Sequence, residues 1–195
     1  MMQPTHQLND SELIQAYLNG DAASLQTLVY RHKDKIYTAI YMLVKDQYLA
    51  EDIFQDTFLK IIRTLNEGRY KEQGKFLPWA VRVAHNLCMD HFRKVRQDIP
   101  VVMEDGREII QLMQFASESA EAGLERRQVH QSVRQLIEAL PEEQREVIVL
   151  RIYGNLSFKE IADITSVSIN TALGRMRYGL INLRKLIETR QMVLR

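Results

Sequence analysis

The chain has 195 residues, of which 46% are hydrophobic and 26% charged, a composition that supports a folded core and excludes an intrinsically disordered tail. The formal net charge of +1 favours neither the presence nor the absence of a polyanionic partner. A single cysteine, Cys88, excludes an internal disulfide framework, and no window approaches about 18 consecutive apolar residues, so we expect a cytoplasmic chain that is neither exported nor membrane-spanning.

The first predicted element is a short helix. Asn9 and Glu12 fit an N-cap and capping box, and Gly20 suits the left-handed residue that ends such a helix.

The whole chain contains only eight glycines and four prolines, and its apolar residues recur every three or four positions. We therefore expect an all-α fold of two small helical domains.

Three longer helices complete the first predicted domain. Asp21 and Asp46 are placed to begin two antiparallel helices, the second of which ends at Gly68. After a polar loop, the helical pattern resumes and continues to Arg96. These four helices define an N-terminal domain over residues 1–96.

The helical periodicity fades between residues 97 and 123. We expect a flexible acidic linker there, because most of the charged residues are carboxylates. The acidic residues on which this prediction rests are Glu104, Asp105, Glu108, Glu118 and Glu121.

A second helical domain is predicted over residues 124–195. Ser157 and Glu160 form another capping-box pattern in front of a short helix, and Ser168 is placed to cap the last helix. A short helix, a tight turn and a longer helix form the helix-turn-helix arrangement.

The last helix has two contrasting sides on a helical wheel. Its predicted buried side comprises Ile169, Leu173, Met176, Leu180, Leu183 and Ile187. The opposite side comprises Thr171, Gly174, Tyr178 and Lys185, flanked by Asn170, Arg175, Arg177 and Arg184. Such donors can reach base edges and phosphates in a major groove, which predicts a recognition helix for duplex DNA, the alternative being a surface helix of poor propensity.

The helix that follows the polar loop has a different outer face. Leu77, Val81, Ala84, Cys88, Phe92 and Val95 share its predicted buried side. Outward lie Trp79, Arg82, Val83, Asn86, Asp90 and Arg93, beside a loop with Arg69, Tyr70, Lys71, Lys75 and Phe76. Aromatic rings and cations together are what unstacked bases and their phosphates need, so this face predicts binding of single-stranded nucleic acid. The alternative for Trp79 is a place in the core.

The helix after Asp46 combines apolar and acidic residues on its outer face. The residues expected to face solvent are Leu49, Asp52, Gln55, Asp56, Leu59 and Arg63. This mixture is typical of a docking surface for a basic helical protein, although an ordinary solvated face fits the same pattern.

Four segments in this order resemble the extracytoplasmic-function (ECF) group of bacterial sigma factors. They are Ala50 to Lys60 (AEDIFQDTFLK), Phe76 to Arg93 (FLPWAVRVAHNLCMDHFR), Leu140 to Val147 (LPEEQREV), and Phe158 to Ala162 (FKEIA) with Asn170, Thr171 and Arg175. The resemblance spans most of the chain. It implies a subunit without cofactors that binds core RNA polymerase and directs promoter-specific initiation.

The resemblance also assigns roles to residues. It implies that Asp52, Gln55, Asp56 and Leu59 dock on the coiled coil of the polymerase clamp. The loop from Gly68 to Phe76, with Asn86 and its neighbours, would capture a flipped base of the minus-ten element. The last helix would read the minus-thirty-five element as duplex; its DNA-binding set is Ser168, Asn170, Thr171, Gly174, Arg175, Arg177, Tyr178 and Lys185.

Further partners follow from the same resemblance. The polymerase flap would be a second contact, and the acidic linker would thread the polymerase toward its active-site cleft. No sequence follows Arg195, so we expect regulation by a separate anti-sigma factor rather than by a fused sensor domain.

Two other classes of protein compete with this interpretation. An enzyme would need a catalytic motif, and the sequence offers neither a phosphate-binding glycine loop nor a nucleophile elbow. His85, Cys88 and His91 stand three apart on one helix, which spreads them over roughly 120° of arc and disfavours a metal site. A stand-alone helix-turn-helix regulator remains the alternative, although the sequence shows no long apolar seam for a dimer.

Overall fold

The computed structural model describes residues 8–98 and 132–189, with no account of the side chains of residues 95–98. In these two ranges every regular element is a helix, which confirms the all-α prediction. The helices are α1 (Asp10–Leu18), α2 (Ala22–Val44), α3 (Gln47–Asn66), α4 (Phe76–Asp98), α5 (residues 132–138), α6 (Glu142–Ile152), α7 (Phe158–Thr165) and α8 (Ile169–Thr189). None of these helices is long and apolar enough to cross a bilayer.

Helix boundaries follow the local signals in the sequence. Asn9 and Glu12 form a complete capping box at α1, and the carboxylates of Asp21 and Asp46 cap α2 and α3. After α1, Gly20 has a φ of 100°, a left-handed conformation that favours glycine. The predicted starts of these helices are therefore confirmed.

The N-terminal domain packs α1 to α4 around one apolar core. Its fully covered side chains come from all four helices and include Leu13, Leu28, Ile36, Ile40, Ile61, Leu65 and Phe76. The predicted inner side of α4 is confirmed at Leu77, Val81, Ala84 and Cys88. The acidic linker of residues 97–123 lies outside the described residues, apart from the end of α4.

The C-terminal domain is the expected helix-turn-helix, but its last helix is rotated relative to the prediction. Ala172 and Gly179 are the buried residues of α8. By contrast, Ile169, Leu173 and Leu180 are 45%, 43% and 49% exposed, so the predicted buried side is wrong at these three positions.

The physical reason is close approach between α8 and α6. A Cβ atom on Gly179 would lie 2.7 Å from Cδ1 of Ile148, so α8 meets α6 through its small residues. The larger residues are displaced to the side, because the space between the two helices cannot hold them.

The two domains are in contact, and their buried apolar residues form one continuous cluster. Helix α6 packs against α2, and a Cβ on Gly154 would lie 2.9 Å from Cγ1 of Val81 on α4. Polar contacts surround this apolar junction. Nζ of Lys45 donates to the carbonyl of Glu138 at 2.7 Å, and Nε2 of His85 lies 2.8 Å from Oε1 of Glu146.

Candidate nucleic-acid and protein interfaces

The outer face of α3 presents the predicted docking residues together. Asp52, Gln55, Asp56 and Leu59 are all exposed, and Leu59 is 65% exposed. Their spacing of three and four residues places them along one side of the helix. Leu49 departs from the prediction, since it is partly buried and packs against the core.

The loop between α3 and α4 carries exposed cations and is shaped by two glycines. Gly68 and Gly74 have φ values of 65° and 67°, which a larger side chain adopts only with strain. The carboxylate of Glu72 accepts a hydrogen bond from the amide of Gly74 at 2.5 Å. Arg69 forms an ion pair with Glu67, and Lys71 is exposed on the same loop.

The rings of Tyr70, Phe76 and Trp79 form an aromatic cluster where this loop meets α4. The ring centroids of Tyr70 and Trp79 are 4.4 Å apart, and those of Phe76 and Trp79 are 5.9 Å apart. Phe76 is only 1% exposed, which corrects the expectation that its ring is available to DNA. Phe76 is instead the buried member of the cluster, whereas Tyr70 and Trp79 are partly exposed. Burial, and then the Glu72 carboxylate, raises the pKa of the Tyr70 hydroxyl, so this hydroxyl stays protonated.

The outer face of α4 continues from the aromatic cluster along the helix. Asn86 and Arg93 are exposed, and Arg82 is partly exposed. Nη2 of Arg93 donates to Asp90 at 2.9 Å, which orients its guanidinium along the surface. The predicted amide and cations thus lie on one side of α4, next to the loop.

The helix-turn-helix is built by α7, a tight turn and α8. Ser157 and Glu160 form a complete capping box at α7, and Ser166 turns the chain in a left-handed conformation with a φ of 55°. Oγ of Ser168 accepts a hydrogen bond from the amide of Thr171 at 3.0 Å, as expected for a cap. Because the Thr171 hydroxyl also lies 2.9 Å from this oxygen, the two hydroxyls are already bonded to each other.

The polar side of α8 is largely exposed to solvent. Its exposed members are Asn170, Thr171, Arg177, Tyr178, Arg184 and Lys185, whereas Gly174 and Arg175 are partly exposed. Tyr178 is 61% exposed. A Cβ on Gly174 would meet nothing within 4 Å, so packing does not explain this glycine.

An apolar groove lies beside the polar side of α8. It has a volume of about 380 Å³, and Phe158, Leu173, Met176, Leu180 and Ile181 line it. The side chains of Arg177 and Arg184 border the same groove. The helix therefore has a packed side, an exposed apolar stripe and a polar side.

The histidines and the cysteine of α4 do not converge on a metal. Over residues 8–98 and 132–189, no group of three His, Cys, Asp or Glu side chains could hold one. Cys88 is fully covered, and burial raises the pKa of its thiol to about 12. His85 points to the C-terminal domain, where it contacts Glu146.

Sequence reasoning missed the residues that join the domains. His85 and Glu146 are 61 positions apart, and Lys75 and Glu160 are 85 apart. Neither pair leaves a local pattern in the sequence. The one available signal was His85 itself, a polar residue next to the predicted buried side of α4.

Two family models match the chain. The Sigma-70 region 2 model matches residues 28–97, and the Sigma-70, region 4 model matches residues 130–173. The first match covers most of α2, α3 and α4, and the second begins before α5 and ends in α8. Each model thus corresponds to one of the two domains.

Curated relatives match over most of their length. The ECF RNA polymerase sigma factor SigW of Bacillus subtilis is 31% identical over 173 residues, which cover 85% of this chain and 90% of that protein. The RNA polymerase sigma-H factor of Pseudomonas aeruginosa is 28% identical over 178 residues, covering 87% of this chain and 89% of that protein.

Solved structures share the fold. The sigma factor RpoE of Bartonella quintana, solved in complex with the anti-sigma factor NepR, aligns with a TM-score of 0.59 at 20% identity, covering 84% of this chain and 96% of that one. CnrH, solved with the cytosolic domain of CnrY, aligns with a TM-score of 0.58 at 21% identity, covering 92% and 97%. These structures share the fold, and both family models and the relative from Bacillus subtilis identify the family: the chain belongs to the ECF sigma factors and directs promoter-specific transcription initiation by core RNA polymerase.

Proposed function

We propose a division of labour among three surfaces of this sigma factor. The α3 face formed by Asp52, Gln55, Asp56 and Leu59 docks on the clamp coiled coil of core polymerase. The observation that carries this proposal is the 65% exposure of Leu59 amid acidic and amide side chains, since an unpaired leucine in such surroundings suits a protein contact. The carboxylates favour a basic partner.

The loop of residues 67–75 and the outer face of α4 bind the melted minus-ten element. Arg69, Lys71 and Lys75 are exposed cations for the backbone, and Tyr70 and Trp79 offer partly exposed rings to a base. The remaining members of this surface are Arg82, Asn86 and Arg93. We assign Phe76 a supporting role, because it is buried.

The polar side of α8 reads the minus-thirty-five element as duplex DNA. The exposure of Asn170, Arg177 and Tyr178 and the partial exposure of Arg175 support their contact with base edges and phosphates. Ser168 and Thr171 contribute chiefly by fixing the start of the helix, because their hydroxyls are bonded to each other. The role of Gly174 is to let DNA approach closely.

The partners of the C-terminal domain extend beyond DNA. We assign the apolar groove between α7 and α8 to the polymerase flap, because the groove is open and its border carries Arg184, which favours an acidic flank on the incoming helix. An anti-sigma factor controls access to these surfaces, as suggested by the solved relative RpoE in its complex with the anti-sigma factor NepR. The chain performs no catalysis of its own and acts in the cytoplasm.

Run-off transcription from a mixed promoter library tests the proposal. Core polymerase with the chain should give sequence-selected start sites that core polymerase alone does not give. Duplex binding by the chain without any new start site would instead favour a stand-alone helix-turn-helix regulator.

Variants on α3 test the docking face. Asp52→Lys and Leu59→Arg should each weaken binding to core polymerase at least tenfold, a loss of about 1.4 kcal/mol. Asp34→Lys is the matched control, since it makes the same charge reversal at an exposed position of α2. Unchanged polymerase binding in both α3 variants would place the docking surface elsewhere.

Variants on α8 test duplex recognition. Arg175→Ala and Arg177→Ala should lower transcription from promoters with the upstream element more than from promoters without it. An equal loss on both promoter types would exclude base readout by α8. If Arg175 holds a phosphate, its loss should reduce the salt dependence of binding by about one unit in slope.

A further inference from the structure

Helix α1 is tied to α2 by the carboxylate of Asp10, the first residue of α1. One carboxylate oxygen, Oδ1, accepts a hydrogen bond from Nη1 of Arg31 at 2.7 Å, and the other, Oδ2, lies 2.8 Å from Nε2 of His32. Nη2 of Arg31 also donates to the carbonyl of Leu8 at 2.7 Å. Both oxygens of Asp10 are therefore used, and they fix the start of α1 against α2.

The hydrogen bond between Asp10 and His32 has a defined donor and acceptor. Burial raises the pKa of the Asp10 carboxyl, but the hydrogen bonds from His32 and Arg31 outweigh burial and lower this pKa, so the group is a carboxylate that can only accept. Nε2 of His32 is therefore the donor. Because His32 is only 8% exposed, this bond determines the orientation of a buried ring.

The ring of His32 packs against the aromatic cluster at the start of α4. Its centroid is 5.4 Å from that of Phe76, a separation typical of packed aromatic rings. The Phe76 centroid in turn lies 6.4 Å from that of Tyr70 and 5.9 Å from that of Trp79. The contacts thus run without interruption from Asp10 on α1 to the two rings that we assign to a promoter base.

The same network borders the loop between α3 and α4. Asp10, Arg31 and Gly74 line one cavity of about 570 Å³ between α1, α2 and this loop. Because the charges of Asp10 and Arg31 are paired with each other, the network favours neither a phosphate nor a cation as its ligand. It reaches the loop through packed rings, which points to a role in positioning rather than in binding.

We propose that Asp10 and His32 are positioning residues for the melted minus-ten strand, which act through Phe76 to hold Tyr70 and Trp79 where a base can stack on them. This inference rests on the proposed function of the loop and of the outer face of α4. In this arrangement neither positioning residue contacts DNA. Loss of the pair should therefore weaken binding of the strand and leave the docking face on α3 unchanged.

Tryptophan fluorescence of the full chain measures the positioning directly, because Trp79 is its only tryptophan. Asp10→Ala deprives His32 of its acceptor and should shift the Trp79 emission to longer wavelength, since a displaced ring is more hydrated. Asp10→Asn retains an oxygen that can accept from Nε2 of His32, so it should keep the emission of the unaltered chain. His32→Gln keeps a donor for Asp10 but removes the ring against Phe76, and it should shift the emission as Asp10→Ala does.

Asp21→Ala is the matched control in the same domain. It makes the same truncation and removes a hydrogen-bonded carboxylate, but that carboxylate accepts from Ala23 and Ser24 rather than from His32. Its Trp79 emission should equal that of the unaltered chain. Circular dichroism at the helical band verifies that each variant is folded. Should Asp10→Ala unfold, His32→Gln replaces it.

Anisotropy measures the consequence for promoter binding. A labelled single-stranded oligonucleotide, the non-template minus-ten segment of a promoter selected by run-off transcription, is titrated with core polymerase carrying the chain. Asp10→Ala should weaken binding of this strand about tenfold, the size expected when one base loses its stacking on an aromatic ring. Asp10→Asn should bind the strand as the unaltered chain does, and the affinity of Asp10→Ala for core polymerase should not change.

The positioning role is wrong if Asp10→Ala leaves the Trp79 emission unchanged, because the network then does not hold the rings. It is equally wrong if the emission shifts without weaker strand binding. Equal effects of Asp21→Ala, or an equal loss of affinity for core polymerase, would reduce the contribution of Asp10 to general stability. Failure of the proposed function appears separately, as absence of start sites in run-off transcription with the unaltered chain, and the emission of Asp10→Ala still tests the placement of the rings in that case.

Discussion

Helices α4 and α8 both carry a candidate promoter surface, yet they are fixed to their domains in opposite ways. Helix α4 inserts Phe76, Leu77 and Val81 into the core and presents a largely polar outer side. Helix α8 approaches α6 through Ala172 and Gly179 and leaves larger apolar residues exposed. A helix anchored by large side chains is sensitive to truncation, whereas one anchored by close approach is sensitive to enlargement.

The largest effect is expected from truncation in α4. Phe76→Ala removes a ring that is 1% exposed and should lower the free energy of unfolding by about 3–5 kcal/mol. Leu180→Ala on α8 is the companion variant, and it should change stability by no more than about 0.5 kcal/mol because Leu180 is 49% exposed. Urea unfolding measures both. Similar losses of unfolding free energy in the two variants would show that α4 and α8 are not anchored in different ways.

Enlargement in α8 should have the next largest effect. Gly179→Leu places atoms where a Cβ alone would lie 2.7 Å from Ile148, and it should cost about 1–3 kcal/mol of unfolding free energy. Gly174→Leu is the matched control in the same helix, because a Cβ there meets nothing within 4 Å. If both variants are equally stable, α8 is not held by close approach.

A smaller effect of opposite sign is expected at Gly174. Gly174→Ala should raise the free energy of unfolding by about 0.5–1 kcal/mol, since alanine is the better helix former and no neighbour obstructs it. Urea unfolding again provides the measurement. A loss of stability would indicate a contact at this position that the open surroundings do not provide.

The smallest effect is expected from the titration of Glu160. Hydrogen bonds from Ser157, with a contribution from Lys75, lower the pKa of its carboxyl to about 2, from an ordinary value of 4.5. Because the folded-state pKa is lowered, the stabilisation is present above pH 4.5 and is lost as the pH falls toward 2. Glu160→Gln should remove this part of the acid dependence.

Thermal unfolding between pH 2 and 6 compares the two proteins. The difference between their midpoints should shrink as the pH falls through this window. A constant difference would show that the charge of Glu160 does not stabilise α7, and that the carboxyl acts there only as a neutral hydrogen-bonding group.

Most of the fold could be predicted because its signals are local. Asn9, Asp21, Asp46 and Ser157 cap helices with side chains two or three residues away from the amides that they bind. Such contacts form within one helical turn, so the sequence order alone reveals them. The exposed face of α3 could be predicted in the same way, because a helical wheel depends only on residue spacing.

The orientation of α8 and the junction between domains could not be predicted in this way. A helical wheel ranks residues by hydrophobicity, so it selected Ile169 and Leu173 as buried rather than Ala172 and Gly179. The buried side of α8 is instead determined by its close approach to α6, which requires small residues. The contacts of His85 and Lys75 depend on the docking of two separately folded units. Their partners are far away in sequence, and no periodicity connects them.

The continuous apolar cluster that runs from α4 through Val81 to Gly154 has a consequence for how the chain melts. Two domains that share buried surface lose it together, so heating should produce one cooperative heat-absorption peak. Glu146→Ala leaves His85 buried without its partner in the other domain, which weakens the contact between the domains, so this variant should divide that peak into two. Calorimetry of the two proteins would therefore report whether the promoter-binding halves behave as one thermodynamic unit.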